Sequence, residues 1–228
     1  MAAPMNTTRI YLVRHGATNL TAENRFSGAI GAELSEDGRW QCARLGERLH
    51  RQGINAIYCS PLSRTVETAT IIGGRCGLGH TTVDGLREIS HGRWEGLTRQ
   101  EVEERFDGEY AAWEEDPFTF APEGGESGLA VLARSLPEIR TIVTRHPGER
   151  VLVVSHKATI RLLIGSLLGF DVRGYRDRLD QAPACLNVLD FRDAVHARLT
   201  LFNDTSHYSE RPRVPTQNLS KWWDEPAP

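Results

Sequence analysis

The chain has 228 residues, of which 39% are apolar and 25% are charged. This composition is typical of a globular protein that buries a sizeable core in one domain. The formal net charge of −3 provides no electrostatic attraction for nucleic acid or for an acidic membrane surface, so we expect neither as a partner.

Short apolar runs alternate along the chain with segments in which apolar residues recur at helical spacing. We predict a domain spanning 9–208 between an N-terminal tail, 1–8, and a Pro-rich tail, 209–228. Pro137 falls inside a predicted helix, where we expect a kink or a break. In chain order, the predicted elements are strand 10–13, a helix from the N-cap Ser35 to Gly53, strand 54–59, a helix carrying Val66, Ala69, Ile72 and Gly73 on one face, strand 81–86, helices 98–106 and 109–115, helix 128–146, strand 150–154, helix 158–168, and strands 185–191 and 197–202 as a hairpin.

Strands that alternate with helices predict an α/β fold around a mostly parallel sheet. The run 151–154 is apolar throughout, which is typical of a central parallel strand. In such sheets ligands bind outside the carboxyl ends of the strands. The residues that directly follow each strand are therefore the first candidates for function.

Polar side chains follow four of the predicted strands, and the candidates among them are two arginines, two histidines and a glutamate: Arg14, Arg64, His15, His156 and Glu88. Arginines bind phosphate bidentately and stay charged. An imidazole can attack phosphorus, and a carboxylic acid can protonate the leaving oxygen. If the strands are parallel neighbours, this set suffices for phosphoryl transfer from an ester. The segments are Arg14-His15, Ser60 to Arg64, Arg87-Glu88 and Ser155-His156.

The cysteines and histidines give no sign of a metal or a redox site. No C-x-x-C pair occurs among Cys42, Cys59, Cys76 and Cys185, and the eight histidines lack metal-ligand spacing. We therefore predict no metal and no cofactor, and a reduced, cytoplasmic setting. There is no apolar N-terminal signal segment, and no apolar run approaches the roughly 20 residues of a membrane-spanning helix.

Several spaced motifs occur in one order along about residues 9–203. Together they resemble the histidine phosphatase superfamily, the phosphoglycerate mutase-like proteins. The resemblance implies a three-layer α/β/α sandwich and an enzyme that needs neither a metal nor an organic cofactor. The motifs are Leu-Val-Arg-His-Gly-Ala-Thr at 12–18, Ser-Pro-Leu-Ser-Arg-Thr at 60–65, Leu-Arg-Glu at 86–88 with Trp-Glu-Gly at 94–96, Gly-Gly-Glu-Ser at 124–127 and Val-Val-Ser-His at 153–156.

The resemblance also implies catalytic roles at matching positions. His15 would be the nucleophile that becomes phosphohistidine. Arg14, Arg64 and the catalytic His156 would bind the phosphoryl oxygens. Glu88 would first donate a proton to the leaving alcohol and then, as a base, activate water.

Four further residues are weaker candidates. Arg25 lies in the loop where the family often has another phosphate-facing arginine. Asn19 and Thr21 are candidate substrate contacts, since Thr21 stands where many members have a phosphate-contacting Asn. Lys157 stands where Gly is common, and we expect its ammonium near the phosphate pocket, able to bind a second anionic group on the substrate. Snorkelling to solvent is the open alternative.

Structural roles remain open for several of these side chains. Arg64 could be a solvated cation at a helix start, and Glu88 could pair with Arg87 or Arg93 on the surface. His91 is interpreted as a loop histidine, and Glu126 as a cap of the helix near Gly128 rather than a catalytic group.

The leading functional hypothesis is a phosphatase that hydrolyses a small phosphomonoester, either a sugar phosphate or a phosphoglycerate-type metabolite. A cofactor-dependent phosphoglycerate mutase is the enzymatic alternative; the compact segment between Glu88 and His156 favours hydrolysis. A phospho-ligand-binding protein without catalysis is the alternative from another class. The expected partner is a small phosphorylated metabolite, and a homodimer is left open.

Overall fold

A computed structural model describes residues 7–19, 25–28, 30–209, 219 and 221. The strands are β1 (Thr8–Arg14), β2 (Ala56–Cys59), β3 (Thr81–Thr82), β4 (Arg150–Ser155), β5 (Leu186–Phe191) and β6 (Ala197–Asp204). They form one six-stranded sheet in the order β3-β2-β4-β1-β5-β6. The first four strands of that order run parallel, while β5 and β6 are antiparallel to their neighbours.

Seven α-helices lie within the described residues. The first begins at the predicted N-cap, where the Ser35 side chain accepts a hydrogen bond from the Gly38 amide. None of these helices is both long and apolar enough to cross a membrane. The helices are α1 (Glu36–Leu49), α2 (Ser63–Cys76), α3 (Arg99–Arg105), α4 (Asp107–Glu115), α5 (Gly128–Arg145), α6 (Lys157–Leu167) and α7 (Tyr175–Arg178).

The sheet is covered by helices on both faces. Successive side chains of β1 point to opposite faces: Ile10 and Leu12 pack in the core with α5 and α6. Tyr11 and Val13 pack on the other side with α1 and α2. The predicted α/β/α sandwich around a mostly parallel sheet is therefore confirmed.

Two strand predictions need correction. β1 begins at Thr8, which pairs with Phe191 of β5, so Thr8 belongs to the sheet and not to the predicted tail 1–8. The predicted strand 81–86 contains only the two residues of β3, and a 3-10 turn at Asp84–Leu86 follows. Both β3 residues are exposed at the sheet edge, whereas Leu86 is fully buried. Burial of Leu86 in the core requires the chain to turn away from the edge.

The expected break at Pro137 is also wrong, because α5 runs through this residue without interruption. A proline in a helix removes one backbone hydrogen bond. In α5 the apolar side chains of Val131, Ile139 and Ile142 are buried along one face, and their packing offsets that loss. Most of the predicted tail 209–228 lies outside the described residues.

Candidate active site

His15 directly follows β1 and is 6% exposed. Its Nδ1 lies 2.8 Å from the carbonyl oxygen of Gly16. A carbonyl only accepts hydrogen bonds, so Nδ1 carries the proton and Nε2 keeps its lone pair. A Cβ at Gly16 would lie 2.6 Å from the Gly38 carbonyl oxygen, so only glycine permits this close turn against α1. The local structure thus presents Nε2 of His15 as a nucleophile.

His156 directly follows β4 and packs edge-on against His15, with the ring centroids 5.2 Å apart. It is fully buried. Its Nε2 lies 2.7 Å from the Ser60 hydroxyl, which follows β2. Its Nδ1 is buried and has no hydrogen-bond partner among the described residues. The ends of three parallel strands therefore place two imidazoles side by side.

Arg14 and Arg64 are held by backbone carbonyls. Arg14 donates from Nη1 to the carbonyl of Gln181 at 2.6 Å. Arg64 donates to the carbonyls of Ile30 and Gly28 at 2.8 and 2.7 Å. In both side chains Nε is buried and has no hydrogen-bond partner in the described part of the chain. Neutral carbonyls orient these cations without cancelling their charge, which remains available to an anion.

Burial and the nearby arginine charges keep both histidines neutral. Burial, followed by the charges of Arg64 and Arg14, holds the pKa of His15 well below its usual value. Burial and the charge of Arg64 lower the pKa of His156 in the same way. Both imidazoles are therefore neutral at neutral pH, as attack on phosphorus requires.

The side chain of Glu88 contacts the first turn of α6. Its carboxylate accepts hydrogen bonds from the backbone amides of Ala158 and Thr159 at 3.2 and 3.3 Å. These amides form the positive end of the helix, which favours a carboxylate. The negative charge of Glu88 also acts on Arg14 and Arg64. The structure therefore brings Glu88 to the same site as the strand-end cations.

Arg134 of α5 supports the segment that carries Glu88, and no sequence motif pointed to it. Its guanidinium donates to the carbonyls of Arg87 and Glu88, at 2.9 and 3.0 Å, and pairs with Glu126 at 2.8 Å. Ser127, not Glu126, caps α5. Arg134 is a positioning residue, and only the folded chain brings these segments together.

The structure resolves three of the alternatives. Arg64 is 2% exposed and is not a solvated cation. Glu88 bonds to α6 instead of pairing with Arg87 on the surface. His91 lies in a loop as interpreted, but it is buried, with its ring centroid 4.9 Å from that of Phe26.

Arg25 contacts the segment that leads into α3. Its guanidinium donates to the Gly96 carbonyl at 2.8 Å and pairs with Glu101 at 3.2 Å. The carboxylate at the start of α3 thus engages the charge that was predicted to face phosphate. Asn19 is exposed at the edge of the described stretch, and Thr21 lies outside the described residues.

Lys157 is the first residue of α6, and its side chain is 24% exposed. Burial, with Arg161 and Arg14 nearby, lowers the pKa of Lys157 to about 7, while Asp180 and Glu88 act in the opposite direction. The ammonium therefore lies within electrostatic reach of the strand-end residues. The sequence analysis did not name its neighbours Arg161 and Asp180 as site residues. Arg161 is a single arginine in a largely apolar stretch of α6, and this pattern could have indicated a buried charge with a function.

This arrangement fits the chemistry of a phosphoryl group. Buried arginine charges can neutralise its oxygens. A neutral imidazole stands ready as a nucleophile, and a carboxyl group lies at the same site. No cluster of three His, Cys, Asp or Glu side chains suited to a metal ion occurs within the described ranges.

Comparison with known proteins agrees with this site. The family model of the histidine phosphatase superfamily (branch 1) matches residues 10–205. Phosphoserine phosphatase 1 of Hydrogenobacter thermophilus is 34% identical over 164 residues, which are 72% of this chain and 78% of that relative. Glucosyl-3-phosphoglycerate phosphatase of Mycobacterium tuberculosis is 35% identical over 179 residues, covering 75% of this chain and 80% of that protein.

The solved structure of a mycobacterial glucosyl-3-phosphoglycerate phosphatase superposes with a TM-score of 0.78 at 32% identity. The superposition covers 86% of this chain and 99% of that one. Sequence and fold therefore agree along most of the molecule, and the chain belongs to the histidine phosphatase superfamily, branch 1.

Proposed function

We propose that this phosphoric monoester hydrolase works through a phosphohistidine on His15, without a metal. The observation that carries the proposal is the contact between Nδ1 of His15 and the Gly16 carbonyl, which assigns the proton to Nδ1. Burial, together with the charges of Arg64 and Arg14, keeps the imidazole neutral. Nε2 is then a nucleophile next to two buried positive charges.

The proposed reaction has two steps. In the first, Nε2 of His15 attacks phosphorus and the ester P–O bond breaks. Protonated Glu88 gives its proton to the departing alkoxide, which leaves as an alcohol. In the second step water attacks the phosphohistidine, Glu88 takes a proton from that water, and the P–N bond breaks. Inorganic phosphate leaves, and both residues return to their starting forms.

Arg14, Arg64 and His156 would hold the phosphoryl oxygens in both steps. The arginine charges, anchored on carbonyls, replace the charge neutralisation that a metal ion supplies in other phosphatases. Activity is therefore expected to survive dialysis against EDTA. A complete loss that one divalent ion restores would contradict the metal-independent mechanism.

The proposed substrate is a small phosphomonoester, a sugar phosphate or a phosphoglycerate-type metabolite. The names of the phosphoserine and glucosyl-3-phosphoglycerate phosphatases support this class. Mutase activity on phosphoglycerate remains the alternative, and it is assayed in parallel with phosphate release. We further propose a cytoplasmic location, since all four cysteines are free and three of them are buried.

The proposal is tested by trapping the intermediate. The protein is mixed with p-nitrophenyl phosphate, quenched at alkaline pH and analysed by intact mass, because phosphohistidine survives base and is lost in acid. His15→Ala is expected to lose the adduct and at least ~10²-fold in turnover. His196→Ala is the matched control, as this exposed histidine pairs only with Asp193 among the contacts seen. A His15→Ala variant with more than about a tenth of wild-type turnover would contradict the assignment.

A further inference from the structure

Beside the phosphoryl site, two cations share one carboxylate. Lys157 and Arg161 lie one turn apart on α6, and their nitrogens are 3.9 and 3.5 Å from Oδ1 of Asp180. The Arg161 side chain is 8% exposed and that of Lys157 24%, whereas Asp180 is 65% exposed. Two largely buried positive charges are thus closed off by one solvent-facing negative charge.

This cluster adjoins the proposed site of reaction. Lys157 directly follows His156, and Arg14 donates to the carbonyl of Gln181, the residue after Asp180. The charge of Arg14 acts on both Lys157 and Arg161. A phosphoryl group that contacts Arg14 therefore lies within electrostatic reach of Lys157 and Arg161.

The charges around the cluster leave a positive excess. Asp180 is the carboxylate in ion-pair contact with both cations. Glu88 also acts on Lys157, but its oxygens bond to the first amides of α6. The carboxylate of Asp177 acts on Arg161 and is itself ion-paired, at 2.9 Å, with Arg176. Tyr175 acts on Arg161 as a neutral phenol, since burial raises its pKa well above the usual value.

Arg161 has a buried donor atom, Nε, that makes no hydrogen bond within the described part of the chain. Burial lowers its pKa to about 10, which means that the fold disfavours the charge at this position. The surrounding helix positions Ile160, Leu162 and Leu163 are fully buried and apolar. An apolar residue at 161 would satisfy packing alone at lower cost.

Resting on the proposed function, we propose that Lys157 and Arg161 form a subsite for a second anionic group of the substrate. Asp180 is the counter-ion that occupies this subsite between turnovers and is displaced when the substrate binds. The substrate class is then a phosphomonoester that also carries a carboxylate or a second phosphate. An uncharged sugar phosphate or alkyl phosphate would leave both cations paired with Asp180.

The test measures selectivity between matched substrates. The carboxylate pair is 3-phosphoglycerate against glycerol 3-phosphate, and the second-phosphate pair is fructose 1,6-bisphosphate against fructose 6-phosphate. In the wild type, the ratio of kcat/KM for the anionic member to that for its partner is expected to exceed about tenfold in one pair, which identifies the group. A ratio near one in both pairs, with phosphate release intact, overturns the subsite. Absence of phosphate release from every substrate would instead count against the proposed function.

Variants then locate the subsite. Lys157→Gln and Arg161→Gln are each expected to lower the selectivity ratio by about 10- to 100-fold, because each removes one charge-assisted hydrogen bond. Arg173→Gln, which removes the same charge from an arginine whose side chain is 71% exposed, should not change the ratio. Equal losses on both members of a pair would make the two cations general contributors to phosphate binding and overturn the proposal.

Asp180→Asn should change the selectivity ratio in the opposite direction. It removes the competing carboxylate, so the KM of the anionic substrate should fall and the selectivity ratio should rise. An unchanged or lower ratio overturns the displacement of Asp180. If Arg161→Gln does not fold, Lys157→Gln and Asp180→Asn decide the proposal, because both side chains are more exposed than that of Arg161.

Discussion

The two cationic regions of the site keep their charges in different ways. In the region proposed to bind the phosphoryl group, here called the carbonyl-held region, Arg14 and Arg64 donate to neutral carbonyls. In the neighbouring region, here called the carboxylate-held region, Lys157 and Arg161 share the carboxylate of Asp180. Carbonyls orient a cation and leave its charge open to an anion, whereas a carboxylate must be displaced first. The first region suits the group that every substrate has in common, and the second suits a group that distinguishes substrates.

Glu88 lies on the border of the two regions, and its replacement is expected to have the largest effect. Glu88→Gln keeps one oxygen, which can accept from one of the two α6 amides, but it cannot shuttle a proton. Hydrolysis of an alkyl phosphate should fall by about 10²- to 10⁴-fold. Hydrolysis of p-nitrophenyl phosphate should fall far less, since its leaving group barely needs a proton. Equal losses in steady-state assays on both substrates would show that Glu88 is not the acid.

The second-largest effect is expected from substitution of Arg64 in the carbonyl-held region. Arg64→Ala should lower kcat/KM by about 100-fold on all phosphomonoesters, because more than one charged hydrogen bond is lost. Arg64→Lys should stay at least about tenfold below wild type, since a compact ammonium lacks the planar fork that lets a guanidinium reach two carbonyls and an anion. Arg75→Ala, on an exposed part of the same helix, is the control. Full activity in Arg64→Lys would mean that charge alone matters.

The charge of the carboxylate-held region should change with pH near 7, whereas the arginines of the carbonyl-held region should stay charged. The pKa of Lys157 is about 7, so the residue is charged below this pH and neutral above it. The selectivity ratio of the preferred substrate pair should therefore fall by about tenfold as pH rises through 7. Lys157→Arg should hold the ratio constant over the same range, because a guanidinium stays charged. A wild-type ratio that does not change with pH would exclude Lys157 titration.

The smallest expected effect is on stability. The pKa of Lys157 is lowered from 10.5 to about 7 in the folded chain. Between these values the unfolded chain binds the extra proton, so this residue makes stability rise with pH. Lys157→Met should remove up to about 1.4 kcal/mol per pH unit of that slope. Urea denaturation of both proteins at several pH values between 7 and 10 would measure the difference, and identical slopes would contradict the lowered pKa.

Local patterns in the sequence determined the parallel core and its polar strand ends. The apolar runs of β1 and β4 are short, continuous and followed at once by Arg14-His15 and Ser155-His156. Such runs report burial directly, and parallel strands bring their carboxyl ends to one edge. The α/β fold with a mostly parallel sheet and the meeting of these strand ends could therefore be predicted, whereas the sandwich and the role of Glu88 came from the family resemblance.

Tertiary contacts decided what local patterns do not encode. Packing carries α5 through Pro137 and turns the chain after β3 so that Leu86 is buried. Glu101 of α3 pairs with Arg25. Asp180 meets Lys157 and Arg161 across more than a dozen residues of intervening chain. Ion pairs between distant segments depend on the positions of whole elements, and no periodicity or propensity in the sequence specifies them.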